Sequence, residues 1–207
     1  MPDFLFLNNR FEYYSYGHAL EILENAFPDE WGDLTEALYD FWIEEDWIIA
    51  EGGNKSNIAK RLDDLLFPRG WTEQRITGDL VITQHIRSGR IGEMREQDFI
   101  VKDWIEGHNI DFVKNKVALD LEWNSKDQTF DRDLMAMRAY FDSGVIDVGV
   151  IITRSENLSP FFREWGLHTK YGASTTHIDK LLYRLDNRRS GGCPVLAIGI
   201  RLENVLR

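Results

Sequence analysis

The spacing of apolar and polar residues changes several times along the chain, and each change marks an element. Over residues 18–27, Leu20, Leu23 and Phe27 share one side. Over 34–48, Leu34, Leu38, Phe41 and Trp42 do the same, with Glu and Asp opposite. Both spacings predict amphipathic helices, the second with a solvated acidic face. Gly52-Gly53-Asn54-Lys55-Ser56 interrupts the pattern, and Ser56 is a suitable N-cap for a helix through Leu66. Strand-like runs follow at 71–77 and 79–86, joined at Gly78-Asp79, a hairpin signal. Residues 87–97 read as a polar loop carrying Arg87, Arg90 and Arg95. The stretch 109–124 reads as a short strand, a polar turn at 114–116 and a strand over 117–123. In that second strand Val117, Leu119, Leu121 and Trp123 share one face, and Ala118, Asp120 and Glu122 the other. Phe130, Leu134, Met137 and Phe141 then recur at helical spacing, after a helix start at Asp131-Arg132-Asp133 that reads as solvated. The runs 147–153 and 194–200 are apolar and β-branched, as in central strands; between them lie an aromatic segment and a helix over 176–185. Strands alternating with helices predict an α/β fold, a mixed central β-sheet flanked by helices with a helical N-terminal segment.

No Pro/Ser-rich linker, repeat or low-complexity tract divides the 207 residues, so one domain is expected over 1–207: an acidic helical segment at 1–50 and a core at 51–207. The apolar and aromatic content excludes a disordered chain or a collagen-like repeat. No apolar run reaches the roughly 18 residues of a membrane span, and the N-terminus lacks a signal-peptide pattern. Cys193 is the only cysteine, which fits a reducing cytoplasm and excludes a CxxC metal site. The net charge of −11 is unevenly placed. The first fifty residues hold twelve acidic side chains and one basic one, Arg10, whereas 51–207 are balanced at 23 of each. An anionic partner would avoid the first segment, yet the remainder is free to present a basic cleft.

Asp120 and Glu122 are two carboxylates on one face of a strand otherwise suited to burial, and burying both is costly unless something neutralises them. Oxygen ligands of this kind favour Mg²⁺ or Mn²⁺. Asp111 joins them if the turn pairs the two strands, giving the pattern Asp-x8-Asp-x-Glu. Such a cluster can orient a phosphodiester and lower the pKa of an attacking water. The pattern alone leaves open solvent-facing carboxylates on an edge strand. Cations accompany the carboxylates: Lys114, Lys116 and Lys126 nearby, and clusters at Lys55/Lys60/Arg61, Arg87/Arg90/Arg95 and Arg184/Arg188/Arg189. These suit a phosphate-bearing substrate. Asn124, Ser125, Lys126 and Asp127 are either donors and acceptors for base edges and phosphate or a helix-capping loop. The segment 171–177 is likewise a DNA-contact loop or a helix cap. The five histidines form no HExxH motif, and neither GxSxG nor a P-loop is present.

The segment Asp111-Phe112-Val113-Lys114…Val117-Ala118-Leu119-Asp120-Leu121-Glu122-Trp123 resembles the active-site hairpin of BglII/BstYI-type restriction endonucleases, within the PD-(D/E)XK nuclease superfamily. The resemblance continues through Ala139-Tyr140-Phe141, Ile146–Val150 and 194–200, and upstream through 54–66 and Gly70-Trp71, so it covers most of 50–200. It implies a restriction-endonuclease-like fold and a type II enzyme: a homodimer that hydrolyses both strands of double-stranded DNA at a short palindromic site. Mg²⁺ is the implied cofactor, with Mn²⁺ as a substitute, and the products carry 5′-phosphates. Asp111, Asp120 and the backbone carbonyl of Leu121 are the implied metal ligands, and Asp111, Asp120 and Glu122 the catalytic residues. Glu122 occupies the position of Lys in most of the superfamily and of Gln in the closer relatives, and Asp120 stands where those relatives have Glu. An acidic residue at the lysine position also occurs in BamHI-like enzymes, and the resemblance implies that Glu122 either binds the attacking water or activates it as general base. Asn54, Lys55 and Ser56 fall where the family has a DNA-facing loop, beside Asn124, Ser125, Lys126 and Asp127. Such an enzyme works in the cytoplasm beside a cognate DNA methyltransferase. A nicking or repair nuclease of the superfamily, or a DNA-binding module with structural carboxylates, is the alternative.

Overall fold

In a computed structural model, residues 4–50 and 55–206 are described, with side chains from Leu7 onward. In chain order the elements are α1 (Phe4–Arg10), β1 (Phe11–Tyr16), α2 (Ala19–Ala26), α3 (Pro28–Asp40), β2 (Ile43–Glu44), α4 (Glu45–Ile49) and α5 (Asn57–Leu66). They continue with β3 (Thr72–Arg87), β4 (Met94–Lys114), β5 (Val117–Glu122), α6 (Thr129–Asp142) and β6 (Val148–Arg154). The last are α7 (Ser159–Glu164), α8 (Ile178–Asp186), β7 (Val195–Ile200) and β8 (Val205–Leu206). The sheet order is β1-β7-β6-β5-β4-β3; β5, β6 and β7 are parallel, while β1 and β4 run antiparallel to their neighbours. The fold is mixed α/β, with the sheet flanked by helices.

Two units are distinguishable, residues 1–74 with 110–207, and residues 75–109. In the first, one sheet face carries Val117, Leu119, Val150, Ile152, Leu196 and Ile198 into a core shared with α2, α3 and α5. The opposite face, which bears Ala118, Asp120 and Glu122, is covered by α6, while α8 packs on β7 and on α6. Helix α6 comes close because Gly149 has no side chain: a Cβ there would sit 2.5 Å from Met137 Sδ. The second unit is the far part of the β3–β4 hairpin. Its turn lies at 88–93, with Gly89 at a φ of 76°.

Several elements differ from what the spacing predicts. Gly78-Asp79 does not turn; β3 runs through it. Asp79 instead accepts from the Asp103 N–H at 2.9 Å and pairs with Lys102 at 2.6 Å, so its carboxylate serves a kink in the neighbouring strand, where Asp103 has a φ of 52°. The N-terminal segment contributes a strand as well as helices, since alternating aromatics at Phe11, Tyr13 and Tyr14-Ser15-Tyr16 suit a sheet edge and β1 pairs with β7. The helix expected over 34–48 breaks at Phe41. Buried Arg10 donates to the carbonyls of Tyr39 (2.8 Å) and Phe41, so these groups leave the helical ladder, and the guanidinium also lies 3.5 Å from the Trp42 ring centre. The acidic face of α3 is only partly solvated, for Glu30 is buried and Asp33 is paired, both against the β4–β5 turn.

Candidate active site

Strands β4 and β5 meet through the turn Asn115-Lys116, with Asn115 at a φ of 50°, a conformation that Asn tolerates better than most residues. Phe112 pairs with Leu119 and Lys114 with Val117, a register that places Asp111 opposite Asp120. Helix α3 anchors the turn. Lys114 Nζ lies 2.6 Å from Asp33 Oδ2 and donates to the Arg69 carbonyl at 3.1 Å, and the Asn115 amide donates to Glu30. Lys116 sits 3.4 Å from Asp147. Lys114 is therefore a structural cation, whereas Lys116 stays half exposed.

The carboxylates interlock through the backbone. The Asp111 N–H donates to Asp120 Oδ1 at 2.9 Å, and the Leu121 N–H donates to Asp111 Oδ2 at 3.1 Å. Thr153 on β6 fixes the Glu122 carbonyl through a 2.7 Å hydrogen bond. Strand β5 lies between β4 and β6, so the edge-strand alternative is overturned: Asp120 is 4% exposed and Glu122 9%. Burial is the first cause that raises the pKa of all three acids. Asp120 is held well above the ordinary carboxylate range by burial and then by Asp133 and Asp111. Glu122 is pushed up to about 8 by burial and then Asp133.

Asp133 is the residue that sequence reasoning missed. Its expected place was a solvated helix start, but it is 1% exposed and turned toward the sheet. The sheet-facing stripe of α6 is Phe130, Asp133, Leu134, Met137 and Tyr140. An acid three residues after Phe130 and four before Met137 was the available signal.

The residues present fit a hard divalent cation. Asp120 Oδ2 and Glu122 Oε2 are buried and have no hydrogen-bond partner among the described residues. Three neighbouring carboxylates that each bury charge offer an all-oxygen donor set, suited to Mg²⁺ or Mn²⁺. The Leu121 carbonyl belongs to the same strand, directly between Asp120 and Glu122.

At the end of β5, Leu121, Asn124 and Ser125 line a groove of about 540 Å³ whose lining also includes Lys55, Ser56 and Lys60. Two of the expected DNA-contact segments thus face one groove, although Asn54, with Gly52 and Gly53, lies outside the described residues. Lys55 is 2.6 Å from Asp63, and after the Leu121 N–H its charge also lowers the Asp111 pKa against the effect of burial. The Ser56 hydroxyl caps α5 by accepting from the Ala59 N–H at 3.2 Å. Lys126 is exposed and its backbone bridges to Thr175. The Asp127 N–H donates to the Ser174 carbonyl at 3.0 Å and its carboxylate pairs with Lys180 at 3.1 Å. Segments 124–127 and 173–176 are therefore one tied structure, and His177 is the N-cap residue of α8.

A mixed sheet that lays interlocked carboxylates beside a lysine-lined groove defines a nuclease with the restriction-endonuclease-like fold. The family model for the restriction endonuclease BglII/BglIII matches residues 11–200, and the chain belongs to that family. It is accordingly a site-specific deoxyribonuclease, a hydrolase of a restriction system, with double-stranded DNA as its substrate. The match begins well before residue 50 and takes in β1, which pairs with β7 in the central sheet. No curated protein matches the chain. Among the described residues no helix is long and apolar enough to cross a membrane.

Proposed function

We propose that this chain is a type II restriction endonuclease that cuts both strands of a short palindromic DNA site, requires Mg²⁺ (or Mn²⁺), and leaves 5′-phosphates. The observation that carries the reading is the cross-strand lock between Asp111 and Asp120 beside buried oxygens of Asp120 and Glu122 that have no hydrogen-bond partner among the described residues. Asp111, Asp120 and the Leu121 carbonyl would hold the cation. When bound, it would offset the negative charge that develops on the phosphate and acidify the attacking water.

The chain's own residues do the rest. The Asp111 and Leu121 amides hold two carboxylates in place before substrate arrives, so no reorganisation is needed at the moment of reaction. Glu122 takes a proton from the water whose oxygen forms a bond to phosphorus. The bond from phosphorus to the 3′-oxygen breaks, that oxygen gains a proton from solvent, and the phosphate stays on the 5′ side. Burial raises the Glu122 pKa in the metal-free chain, and a bound cation would favour the ionised form that can accept the proton. Lys55, Ser56, Asn124, Ser125, Lys126 and Asp127 form the DNA-facing surface, and the family resemblance gives Asn54 the same role. A palindrome has two scissile bonds related by a two-fold axis, so the enzyme acts as a C2 homodimer with one site per chain. In the cytoplasm a cognate methyltransferase protects the same site.

Plasmid digestion tests the reading. Discrete fragments in Mg²⁺, none in excess EDTA and none with Asp120→Asn are expected. Nicked circles would indicate a single-strand enzyme. Intact plasmid with a retained gel shift would reduce the carboxylates to structural groups.

A further inference from the structure

Arg154 closes β6 at the end of the sheet where the catalytic strand also ends, for Thr153 pairs with Glu122 and Arg154 is the next residue. Its side chain is buried, with 2% exposed. A buried guanidinium carries a charge and several N–H donors, and is costly unless carboxylates or carbonyls meet them. The other buried arginines among the described residues are provided for. Arg10 donates to the carbonyls of Tyr39 and Phe41 and to Asn204, and Arg184 lies 3.0 Å from Asp131. Arg154 has less. Its Nη2 donates to the Thr175 hydroxyl at 2.6 Å, and its guanidinium carbon lies 5.5 and 5.4 Å from the ring centres of Phe162 and Tyr171. Its Nε is buried and has no hydrogen-bond partner among the described residues. Burial lowers the Arg154 pKa to about 10, which still leaves a cation at neutral pH.

Arg154 lines a cavity of about 260 Å³ together with Glu156, Ser159, Arg163, His168 and His177. Arginines and imidazoles there face a single carboxylate, and that carboxylate is engaged. One Glu156 oxygen accepts from the Ser159 hydroxyl at 2.6 Å, and the other lies 3.4 Å from His177 Nδ1. Glu156, His177 and Asp179 also converge closely enough to hold a metal ion, but Asp179 is not part of the lining, and the Arg154 charge opposes a cation in the cavity. The chemistry therefore suits an anion. Tyr171 lines both this cavity and the groove that contains Lys55 and Ser125. Thr175, which accepts from Arg154, pairs through its backbone with Lys126. The cavity thus adjoins the surface that faces DNA.

We propose that this cavity takes a phosphate of the DNA backbone, held by Arg154 from within and by the exposed Arg163, apart from the phosphate that is cut. This rests on the DNA-facing surface assigned under Proposed function. A phosphate supplies the acceptors that the guanidinium lacks, and its oxygens match a planar donor fork. Such a contact is blind to base sequence and fixes the position of the duplex over the carboxylates.

The experiment is fluorescence anisotropy of a labelled duplex with the full chain, in EDTA and over a range of salt, for wild type, Arg163→Ala, Arg154→Lys and Lys126→Ala. Circular dichroism checks that each is folded. Thermal unfolding of wild type and Arg163→Ala in inorganic phosphate, against chloride of equal ionic strength, accompanies it. Arg163→Ala should stay folded, bind every duplex more weakly and reduce the slope of log affinity against log salt by about one. Arg154→Lys keeps the charge but loses the fork, so it should bind roughly tenfold more weakly with little change of slope. If Arg154→Lys does not fold, Arg163→Ala decides alone. Wild-type affinity and slope in Arg163→Ala, or wild-type affinity in a folded Arg154→Lys, would overturn the inference. Should phosphate stabilise wild type but not Arg163→Ala while the slope stays unchanged, the ligand is free phosphate and the backbone assignment fails. Lys126→Ala separates the two levels of the argument. If it flattens the slope and Arg163→Ala does not, the DNA-facing surface stands without the cavity; if neither does, both assignments fail.

Discussion

Glu122→Gln should remove part of a pH dependence of stability that the metal-free protein carries. Burial raises the Glu122 pKa from an ordinary 4.5 to about 8. In the interval between those values the folded chain binds a proton that the unfolded chain has released, so stability falls as pH rises. Below about pH 4.5 both states are protonated and the penalty is absent; above about pH 8 it is complete. Each pH unit is worth about 1.4 kcal/mol, so the whole interval amounts to roughly 5 kcal/mol as a ceiling. Asp120, also raised and by the same cause, acts with the same sign. Set against a typical domain stability of about 5–15 kcal/mol, this is a large fraction. The assay is urea unfolding followed by circular dichroism at about pH 5, 6, 7 and 8, in EDTA and again in excess Mg²⁺. Wild type in EDTA should weaken steadily toward pH 8. Glu122→Gln should match it near pH 5 and exceed it by several kcal/mol near pH 8. Mg²⁺ should flatten the wild-type curve, because a cation favours the ionised form. Parallel curves for the two proteins in EDTA, or a wild type that gains stability as pH rises, would refute the account of Glu122 as a buried, destabilised acid.

Asp120→Asn should abolish cutting yet bind DNA in EDTA at least as well as wild type, because burial already favours the uncharged form of that acid when no metal is present; a gel-shift titration beside a digest decides it. Lys126→Ala should weaken binding to all DNA sequences and reduce the slope of log affinity against log salt by about one, and an unchanged slope would take Lys126 off the phosphate contact surface. Arg10→Ala should cost about 3–5 kcal/mol in urea unfolding, because its guanidinium holds the Tyr39 and Phe41 carbonyls and Asn204 Oδ1; a loss below about 1 kcal/mol would contradict that role. Light scattering should give a dimer with cognate DNA, and a monomer both free and bound would defeat the two-fold arrangement.

The hairpin was legible because its determinants are local. A period-2 run over 117–123, a polar turn and two acids on one face specify pairing and register without reference to the rest of the chain, and the observed β4–β5 register follows. Ser56 as the cap of α5 was equally local. What escaped depended on partners far away in sequence. Nothing near Gly78 shows that Asp79 will accept the amide of Asp103, and without that partner Gly-Asp reads as a turn. The break at Phe41 is caused by Arg10, 31 residues earlier. Asp133 was misread for a different reason. Its three-residue spacing from Phe130 marked the buried stripe, but an acid near a helix start also suits the helix dipole, and the local explanation concealed the tertiary one.

The acidic N-terminal segment, the feature that most discouraged a DNA partner, turns out to support the cleavage site. Glu30 and Asp33 on α3 engage Asn115 and Lys114 at the tip of the β4–β5 hairpin. Asp33 also accepts from the Trp71 indole at 3.3 Å, which ties the start of β3 to the same carboxylate. The one cation of that segment, Arg10, is buried where it fixes the end of α3, so the platform under the turn is itself held in place. Charge in this segment is therefore directed inward at the hairpin as well as outward at solvent. A slip of the hairpin by one residue would separate Asp111 from Asp120 and turn Asp120 and Glu122 to the opposite face. The contacts to Lys114 and Asn115 oppose such a slip at the turn, where it would begin. Net charge counted along the chain cannot reveal this, because it does not distinguish an acid that faces a phosphate from one that holds the strand on which the reactive acids stand.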